Sequence, residues 1–391
     1  MPGTVLYIAP YVHDSFVSVR GLSTSKVYQA GKSKIEGIIK SICYAGYDVV
    51  VLSPISIPSD TWFWSKSLVI SGDRSTIVYP PLIEIRPRFL KYLILTILTA
   101  LFALKLSFKY RFSCCIFYNM LPHTALPSMT VKVIRSIPSV IEFEDDYSHF
   151  SHNRMLRLFN VGALSLIRNM IDGAVCVNSI LAEKLGGKYP KAIARGVFSL
   201  NSKLGIEDES PHKVPMLIFS GSLNSDRGYD LFLQALRHIE YPVDVFISGV
   251  VGIRDILPKD ILPVVRITSM GYLEYSKYLE VLNQADIAVS CYRADSKMST
   301  NIFPSKIIEY MAYGKIIVTS RVADIETMGE NLFVFYDEDS PVSIASAIND
   351  VLNDISKYRS FGKNAARYFM DNCSVPATAR KLSALLTTYE A

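Results

Sequence analysis

The sequence lacks the signals that mark several large protein classes. Its 391 residues carry a net charge of only +5, which is too mild to indicate a nucleic-acid-binding protein. Its six cysteines are scattered, with neither the spacing of metal ligands nor the density of a secreted disulfide scaffold. No internal repeat or low-complexity tract is visible. We therefore expect a globular protein that works in a reducing compartment.

Long uncharged runs are also missing. The most apolar segment, residues 92–104, has thirteen residues without a charge, whereas a helix needs roughly 20 apolar residues to span a bilayer. The first residues, MPGTVLYIAPYVHD, lack a basic region followed by an apolar run and a cleavage site. We therefore expect no signal peptide and a cytoplasmic protein.

Apolar residues, in contrast, are abundant. Half of the residues are hydrophobic and only 20% are charged, and the mean hydropathy is +0.24. A chain of this length exceeds what one hydrophobic core usually organises. The composition therefore predicts two domains, each with a substantial core.

Short β-branched apolar runs alternate with helical patterns, which predicts βαβ units and parallel sheets. The predicted strands cover residues 5–9, 48–53, 114–118, 139–144, 173–177, 216–220, 243–248, 264–268, 286–290 and 315–319. A polar, proline-containing segment, 205–215, separates the two series and predicts an interdomain linker. The expected parts are an N-terminal domain over 1–204, a second domain over 205–374, and a terminal helix over 375–391 that packs back on the first domain.

The segment 301–320, which reads NIFPSKIIEYMAYGKIIVTS, predicts a helix followed by a strand. Pro304 suits the start of the helix and Gly314 its end. In open α/β sheets, ligands bind beyond the carboxyl ends of the strands, where such helices begin. The start of this helix is therefore a candidate ligand site.

Four residues of this helix suit a nucleotide. The backbone N–H groups of Phe303, Ser305 and Lys306, the helix dipole and the Lys306 ammonium make an anion site that fits a diphosphate. Glu309, about one turn later on the same face, can accept two ribose hydroxyls. The alternative is that Glu309 only pairs with Lys306 on a solvated face.

The run FPSKIIEYMAYGKIIV closely resembles the donor-binding helix of retaining GT-B glycosyltransferases of family 4, the glycosyl transferases group 1. This resemblance implies an α/β GT-B fold with two Rossmann-like domains whose parallel sheets face a central cleft, the first binding the acceptor and the second the nucleotide sugar. In that family two glutamates contact the donor. Glu309 matches the one that touches the ribose, whereas Asn301 replaces the one that touches the sugar; an amide can still hydrogen-bond a sugar hydroxyl.

A second stretch, FSGSLNSDRGYDLFLQA, ends a strand and starts another helix. The guanidinium of Arg227, beside that helix start, can bind a diphosphate bidentately and stabilise the departing nucleotide. Enzymes of the resembled family usually have a glycine-arginine pair and a later lysine-glycine pair here, whereas this chain has Gly221-Ser222 and Arg227-Gly228. The alternative for Arg227 is an ordinary surface arginine.

Two further features complete the implied donor site. One cation of the family is missing unless Lys306 or Lys297 supplies it. Gly271 and Tyr272 follow a predicted strand, at a turn whose backbone contacts the base in similar enzymes. Tyr272 is alternatively an ordinary aromatic residue at the rim.

Candidate acceptor-binding residues lie in three loops of the first half. By resemblance, Gly21 lies near the point where acceptor and donor phosphates meet, and Asp145 and Asp146 lie in a loop that orients the acceptor or the donor sugar. Adjacent side chains point in different directions, so we expect only one of the two aspartates to act on substrate. Gly21 alternatively serves only a tight turn, and His123 alternatively is a structural histidine.

These features assign catalytic roles to Arg227, Lys306, Glu309 and Asp146. Retaining transfer, implied by resemblance, needs no enzymic nucleophile if the departing phosphate takes the acceptor proton. We expect no Asp-x-Asp metal motif in the second domain, and cationic side chains make a divalent ion unnecessary, so we predict metal independence and no cofactor beyond the nucleotide sugar.

The resemblance also implies a pathway, the assembly of cell-surface polysaccharide or lipopolysaccharide such as O-antigen or capsule. Two other functions remain open at this point. One is a nucleotide-sugar epimerase of the same architecture, and the other is a non-catalytic glycan-binding or scaffold protein.

A predicted helix over residues 89–108 is apolar nearly all round and has basic ends. Related enzymes often dock on the inner leaflet through this part of the first domain to reach lipid-linked acceptors. We therefore expect a peripheral protein of the cytoplasmic membrane, and the alternatives are a buried core helix or a partner contact.

Overall fold

The computed structural model describes residues 3–20, 31–56, 63–84, 88–146, 162, 165–199, 213–223, 225–251, 260–293, 303–337 and 339–390. The chain divides into two compact units. Unit 1 comprises Met1–Ser199 and Ser374–Ala391, and unit 2 comprises Leu200–Cys373.

Unit 1 is built on an eight-stranded sheet. The described strands of this unit are β1 (Thr4–Ile8), β2 (Asp48–Leu52), β3 (Phe63–Ser65), β4 (Leu68–Ser71), β5 (Ser75–Tyr79), β6 (Leu82–Glu84), β7 (Phe112–Tyr118), β8 (Ser139–Phe143), β9 (Gly173–Cys176) and β10 (Lys191–Ile193). The sheet order is β10-β9-β8-β7-β1-β2-β5-β4, while β3 and β6 pair separately. Its pairs are parallel except for β4 with β5, and the β3–β6 pair is also antiparallel.

The described helices of unit 1 are α1 (Asp14–Arg20), α2 (Lys32–Tyr44), α3 (Arg88–Lys109), α4 (Pro122–Arg135), α5 (Ser179–Leu185) and, at the end of the chain, α11 (Val375–Leu386). The described helices of unit 2 are α6 (Tyr229–Ala235), α7 (Tyr275–Gln284), α8 (Ser305–Ala312), α9 (Pro341–Asn353) and α10 (Ile355–Asn372). Helix α11 contributes Leu382, Leu385 and Leu386 to the core of unit 1. Just after it, the Tyr389 hydroxyl donates to the Asp172 carbonyl at 2.8 Å. The terminal segment is therefore an integral part of unit 1.

Unit 2 has a six-stranded parallel sheet. Its strands are β11 (Met216–Leu223), β12 (Val243–Val251), β13 (Val265–Gly271), β14 (Ile287–Ser290), β15 (Ile316–Thr319) and β16 (Val334–Phe335), in the order β13-β12-β11-β14-β15-β16. The strands β14 and β15 and the first half of β11 are buried because helices cover a parallel sheet on both faces. This order is that of a Rossmann-type nucleotide-binding sheet.

Every strand predicted from the sequence overlaps an observed strand, and the prediction of two α/β units with parallel sheets is confirmed. The prediction omitted β3 to β6, β10 and β16, which have only two to five residues each. Periodicity is not informative over such short segments, and β4 has partly exposed side chains throughout. The expectation of purely parallel pairing was wrong for this edge.

Candidate functional site

The strand order of unit 2 reverses between β11 and β14, and such a switch point opens a crevice beyond the carboxyl ends of the two strands. The loop after β11 carries Gly221, Ser222 and Arg227. The chain after β14 leads into α8, which carries Lys306 and Glu309. The two stretches that the sequence singles out therefore flank the same crevice.

Gly228 locks the turn after β11 onto the end of β14. Its φ of +63° lies in the left-handed region, and a Cβ on it would lie 1.8 Å from the Cys291 carbonyl oxygen. Gly221 also has a positive φ, +132°. Only glycine permits this close approach, which fixes the direction in which the turn projects Arg227.

Arg227 is half-buried, and its guanidinium carbon lies 5.4 Å from the centre of the Tyr292 ring. Arg293 clamps the same turn: its Nε donates to the Ser225 carbonyl at 3.0 Å and its Nη2 to Asp230 Oδ2 at 2.6 Å. Sequence reasoning missed Arg293. Its position directly after a buried strand, like that of Arg227 after β11, was the available signal.

Helix α8 begins as predicted. Pro304 occupies the N-cap and its side chain offers no acceptor, so the first N–H groups of the helix lack partners within it. Phe303 and Pro304 are buried and Ser305 is exposed. At the other end Gly314 has a φ of +60° and its N–H bonds to the Met311 carbonyl, which ends the helix.

Glu309 is buried, with 8% of its surface exposed. The Lys306 ammonium donates to its Oε2 at 2.7 Å, and the Tyr275 hydroxyl lies 3.5 Å from its Oε1. The pairing that we weighed as an alternative is therefore present, but the solvated face that it assumed is wrong. Because an ionised carboxylate offers about two acceptor sites on each oxygen, Glu309 retains capacity to accept further hydrogen bonds.

Tyrosines surround this ion pair. Lys306 Nζ lies 3.9 Å from the centre of the Tyr278 ring, which stacks on Tyr275 with 6.0 Å between ring centres. The Ser220 hydroxyl, near the end of β11, bonds to Tyr310 at 2.8 Å and lies 3.4 Å from the Tyr278 hydroxyl. Burial and then the charge of Glu309 raise the pKa of Tyr278 well above its usual value, so the phenol stays protonated.

The turn after β13 holds Gly271 and Tyr272. Gly271 has a φ of +61°, and a Cβ added there would have no described residue within 4 Å beyond its chain neighbours. Its carbonyl accepts from Ser248 Oγ at 3.1 Å, and Tyr272 is exposed. The turn thus lies at the same edge of the sheet as the start of α8. Asn301 and Lys297, also predicted for the donor site, lie outside the described residues.

In unit 1, Asn119 organises the loop that carries the two predicted aspartates. Its Oδ1 accepts from the N–H groups of Glu144 at 2.7 Å and Asp145 at 3.1 Å, and its Nδ2 donates to Asp145 Oδ2 at 3.4 Å. Asp146 is only 1% exposed and forms an ion pair with Lys184. Of the two neighbours, Asp145 is thus the more accessible to a ligand, although the sequence argument assigned catalysis to Asp146.

A buried acid, Glu142, lies on the strand that leads into this loop. The Tyr7 hydroxyl donates to its Oε2, while its Oε1 is buried and has no hydrogen-bond partner among the described residues. Burial, and then the charge of Glu144, raise the pKa of Glu142 to about 8. Burial alone would lower the pKa of Lys34, which pairs with Glu144, but the two glutamates outweigh it and raise that pKa.

Replacing Glu142 with glutamine is therefore expected to make stability less dependent on pH. Folded Glu142 keeps its proton up to about pH 8, whereas the unfolded carboxyl loses it near 4.5, so the wild type loses stability as pH rises between these values. The gap corresponds to at most ~5 kcal/mol. Denaturant unfolding should show the E142Q advantage growing from pH 5 to pH 8 and then levelling.

The exposed Glu183 on α5 supplies the control, because E183Q makes the same substitution at the surface of unit 1. Lys34 does not affect the comparison, because its raised pKa means that it loses its proton only above the range from pH 5 to pH 8. A pH-independent difference between E142Q and the wild type would contradict a protonated Glu142.

The other predicted residues of unit 1 have different outcomes. His123 begins α4, is buried and stacks on Tyr92 of α3 with 5.7 Å between ring centres. Burial lowers its pKa to about 4, so the imidazole is neutral at pH 7. This placement favours the structural alternative. Gly21 lies outside the described residues.

The expectation that the second domain has no Asp-x-Asp motif was wrong, because Asp337 to Asp339 form such a triplet. The prediction of metal independence therefore rests on the cationic side chains. Asp337 is highly exposed, follows β16 and lies 3.7 Å from the Arg321 guanidinium. Its carboxylate thus has a cationic neighbour.

Comparisons with known proteins agree with this geometry. Residues 214–354, a little over a third of the chain, match the family model described as Glycosyl transferases group 1. A comparison with curated proteins finds no match.

Three solved structures illustrate the similarity of fold. Sucrose-phosphate synthase from Thermosynechococcus elongatus is 14% identical with a TM-score of 0.66, and the match covers 99% of this chain and 98% of that one. Anabaena HepE in complex with UDP-glucose is 13% identical with a TM-score of 0.64, covering 99% and 100%. The structure "Trehalose-6-phosphate from E. coli bound with UDP-2-fluoro glucose" is 10% identical with a TM-score of 0.62, covering 99% of each chain.

Identities this low establish the fold alone, and that fold is GT-B. The family match lies within unit 2 and includes the turn with Arg227 and the helix with Glu309. The chain is therefore a glycosyltransferase of the GT-B fold whose second unit carries a group 1 glycosyltransferase domain.

Proposed function

We propose that the chain transfers a sugar from a nucleotide diphosphate donor to a hydroxyl group of a glycan or lipid-linked acceptor. One observation carries the proposal: a buried carboxylate, Glu309, lies one turn from an uncapped helix start, and Arg227 flanks the same switch-point crevice. HepE was solved with UDP-glucose, and this supports a nucleotide sugar as donor.

Each part of the donor has a chemical counterpart in unit 2. The N–H groups at the start of α8 and the Arg227 guanidinium take the diphosphate, since both offer donors to an anion. Glu309 accepts the ribose hydroxyls. The turn with Gly271 and Tyr272 lies toward the base.

The transfer itself is proposed to be retaining and independent of metal. The bond from the anomeric carbon to the phosphate oxygen breaks, the acceptor oxygen bonds to that carbon from the same side, and the departing phosphate takes the acceptor proton. Arg227 and the α8 amides stabilise the negative charge on the leaving nucleoside diphosphate. These residues supply electrostatics, so no protein nucleophile is required.

Metal independence gives a direct prediction. Transfer measured with excess EDTA should keep at least about half of the untreated rate, because cationic groups already stabilise the leaving group. An inactive EDTA-treated enzyme that regains its rate with Mg²⁺ or Mn²⁺ would contradict the prediction. The Asp337→Asn variant then separates a role of the Asp-x-Asp triplet from a role of the donor site.

The acceptor is proposed to bind at the carboxyl edge of the unit 1 sheet, with Asp145 rather than Asp146 facing it. Asn119 holds Asp145, whereas Lys184 engages Asp146. Assembly of cell-surface polysaccharide or lipopolysaccharide, such as O-antigen or capsule, is the proposed pathway.

A ligand panel tests the donor proposal. Thermal unfolding is measured with UDP-, GDP-, ADP- and dTDP-sugars, each at several concentrations. A true donor at a hundred times its dissociation constant stabilises the folded state by about 2.7 kcal/mol. Stabilisation by one nucleotide class, followed by transfer of its sugar to an acceptor extract, is the expected result, and no stabilisation by any of them would overturn the proposal.

We also propose that unit 1 rests on an anionic membrane surface through α3 and α4. Both helices expose apolar side chains: Leu93, Ile97, Leu101 and Phe108 on α3, and Leu126, Val133 and Ile134 on α4. Basic side chains flank them, including Lys105, Lys109, Arg111 and Arg135. Apolar area beside clustered positive charge suits a bilayer of anionic lipid.

Helix α3 is longer than the sequence argument assumed. It runs over Arg88–Lys109, and its segment Leu90–Lys109 is long and apolar enough, by length and composition alone, to cross a membrane, with 33% of the most apolar part buried. Thr99, Ala103 and Leu106 are nevertheless buried in unit 1. We therefore favour a helix that keeps one face on the protein and presents the other to the membrane surface.

Neutralising Lys105, Lys109 and Arg111 is expected to weaken vesicle binding strongly. Each basic residue near an anionic surface contributes about 1 kcal/mol, so three lower the partition constant on the order of 100-fold. Flotation with vesicles containing phosphatidylglycerol measures it. The control is Val342→Glu, an equally exposed apolar residue of unit 2, and unchanged binding by the triple variant would contradict the proposed surface.

A further inference from the structure

We propose that Lys306 is a positioning residue for the Glu309 carboxylate rather than a ligand of the donor phosphates. The inference rests on the proposed function, in which Glu309 binds the ribose. It reverses the expectation from the sequence, which placed the Lys306 ammonium on the diphosphate.

The ion pair itself is the first support. Lys306 Nζ lies 2.7 Å from Glu309 Oε2, and the two side chains are 24% and 10% exposed. A carboxylate buried to this degree requires compensation, and removing its cation leaves an uncompensated charge. If the ammonium moved to a phosphate, Glu309 would be left as a buried negative charge without its cation.

The aromatic surroundings are the second support. The Lys306 ammonium lies 3.9 Å from the centre of the Tyr278 ring and 6.0 Å from that of Tyr275. A cation over a ring face is attracted by the ring quadrupole, more strongly where water is excluded. The carboxylate and the ring together hold the ammonium.

The two oxygens of the Glu309 carboxylate have different partners in this arrangement. Oε2 accepts from Lys306, whereas the Tyr275 hydroxyl lies 3.5 Å from Oε1, and the Tyr278 hydroxyl also hydrogen-bonds to this carboxylate. Because an ionised carboxylate offers about two acceptor sites on each oxygen, Oε1 can accept a ribose hydroxyl without giving up the ion pair. Lys306 thereby sets the orientation in which Oε1 is presented.

The chain contains a matched pair without these features. Lys277 and Glu280 on α7 have the same spacing, but their atoms are 3.8 Å apart and both side chains are 66% exposed. Exposed pairs of this kind contribute little. Lys277→Met is therefore the control for Lys306→Met.

The test compares three ligands by titration calorimetry: the nucleoside diphosphate that the panel selects, its monophosphate, and its 2′,3′-dideoxy diphosphate. Lys306→Met should weaken the first two by the same factor, roughly 10-fold or more, and abolish the preference for ribose over dideoxyribose. Lys277→Met should change none of the three affinities. A loss that is larger for the diphosphate than for the monophosphate, with the ribose preference intact, would overturn the inference.

A double variant keeps the test decisive if Lys306→Met alone folds poorly. Glu309→Gln and Lys306→Met/Glu309→Gln leave no buried carboxylate without its cation, and a positioning residue predicts equal affinities for the two, since its effect acts through Glu309. A further drop specific to the diphosphate in the double variant would make Lys306 a phosphate ligand. If the wild type binds no nucleotide at all, the proposed function fails and not this inference alone.

Discussion

Replacing Gly228 with alanine is expected to destabilise unit 2 by more than any other single-methyl change in the described site. The backbone is left-handed there, which costs a non-glycine residue about 1–2 kcal/mol, and the added Cβ would lie 1.8 Å from the Cys291 carbonyl oxygen. A backbone atom cannot rotate away as a side chain can. Denaturant unfolding should show a loss of about 3 kcal/mol or more.

Gly271 provides a matched control for this prediction. Its φ of +61° is nearly that of Gly228, at +63°, but among the described residues none except its chain neighbours lies within 4 Å of the position its Cβ would take. Gly271→Ala should therefore show the conformational cost alone. Equal losses of stability in the two variants would mean that the backbone shifts to relieve the clash with Cys291. The contact between the turn and the end of β14 would then not fix the position of Arg227.

Replacing Glu309 with alanine is expected to abolish nucleotide binding while the chain stays folded. Hydrogen bonds to a charged group contribute about 1.5–3 kcal/mol each, and two ribose hydroxyls would lose their acceptor, so affinity should fall at least 100-fold. At a ligand concentration that stabilises the wild type by about 2.7 kcal/mol, the variant should then show almost no thermal shift. In this variant Lys306 loses its ion-pair partner, but its side chain is partly exposed to water, so the cost in folding stability is smaller than for a fully buried charge.

The control for this second prediction is Glu280→Ala, whose carboxylate is exposed on α7. It should retain the wild-type thermal shift. A Glu309→Ala variant that still responds fully to the nucleotide would place the ribose elsewhere and would remove the main support for the donor site.

The sequence predicted the elements that have strong periodicity or clear end signals. Helix α8 begins next to Pro304 and ends before Gly314, as their backbone preferences dictate. Strand positions followed from buried β-branched runs. The order β13-β12-β11-β14-β15-β16 could not be read directly, because long-range pairing leaves no local signal.

Side-chain partners were predicted less well than their locations. Glu309 and Lys306 were placed on one face correctly, but spacing cannot distinguish a buried pair from a solvated one. That distinction comes from Tyr275 and Tyr278, which reach the pair from another helix.

Unit 1 shows the same limit. Neighbouring aspartates are identical in sequence terms, and only the partners Asn119 and Lys184, distant in the chain, separate Asp145 from Asp146. His123 was a loop candidate by sequence, but it stacks on Tyr92 of the preceding helix.

The central claim is that the start of α8 and its buried carboxylate hold a nucleoside diphosphate. A crystal structure of the chain with the nucleoside diphosphate selected by the panel tests it most directly. The account predicts ribose hydroxyls within hydrogen-bond distance of Glu309 Oε1, and the diphosphate against the α8 amides and Arg227. A nucleotide bound at another edge of the sheet, with Glu309 still contacting Lys306 and no part of the nucleotide, would contradict it.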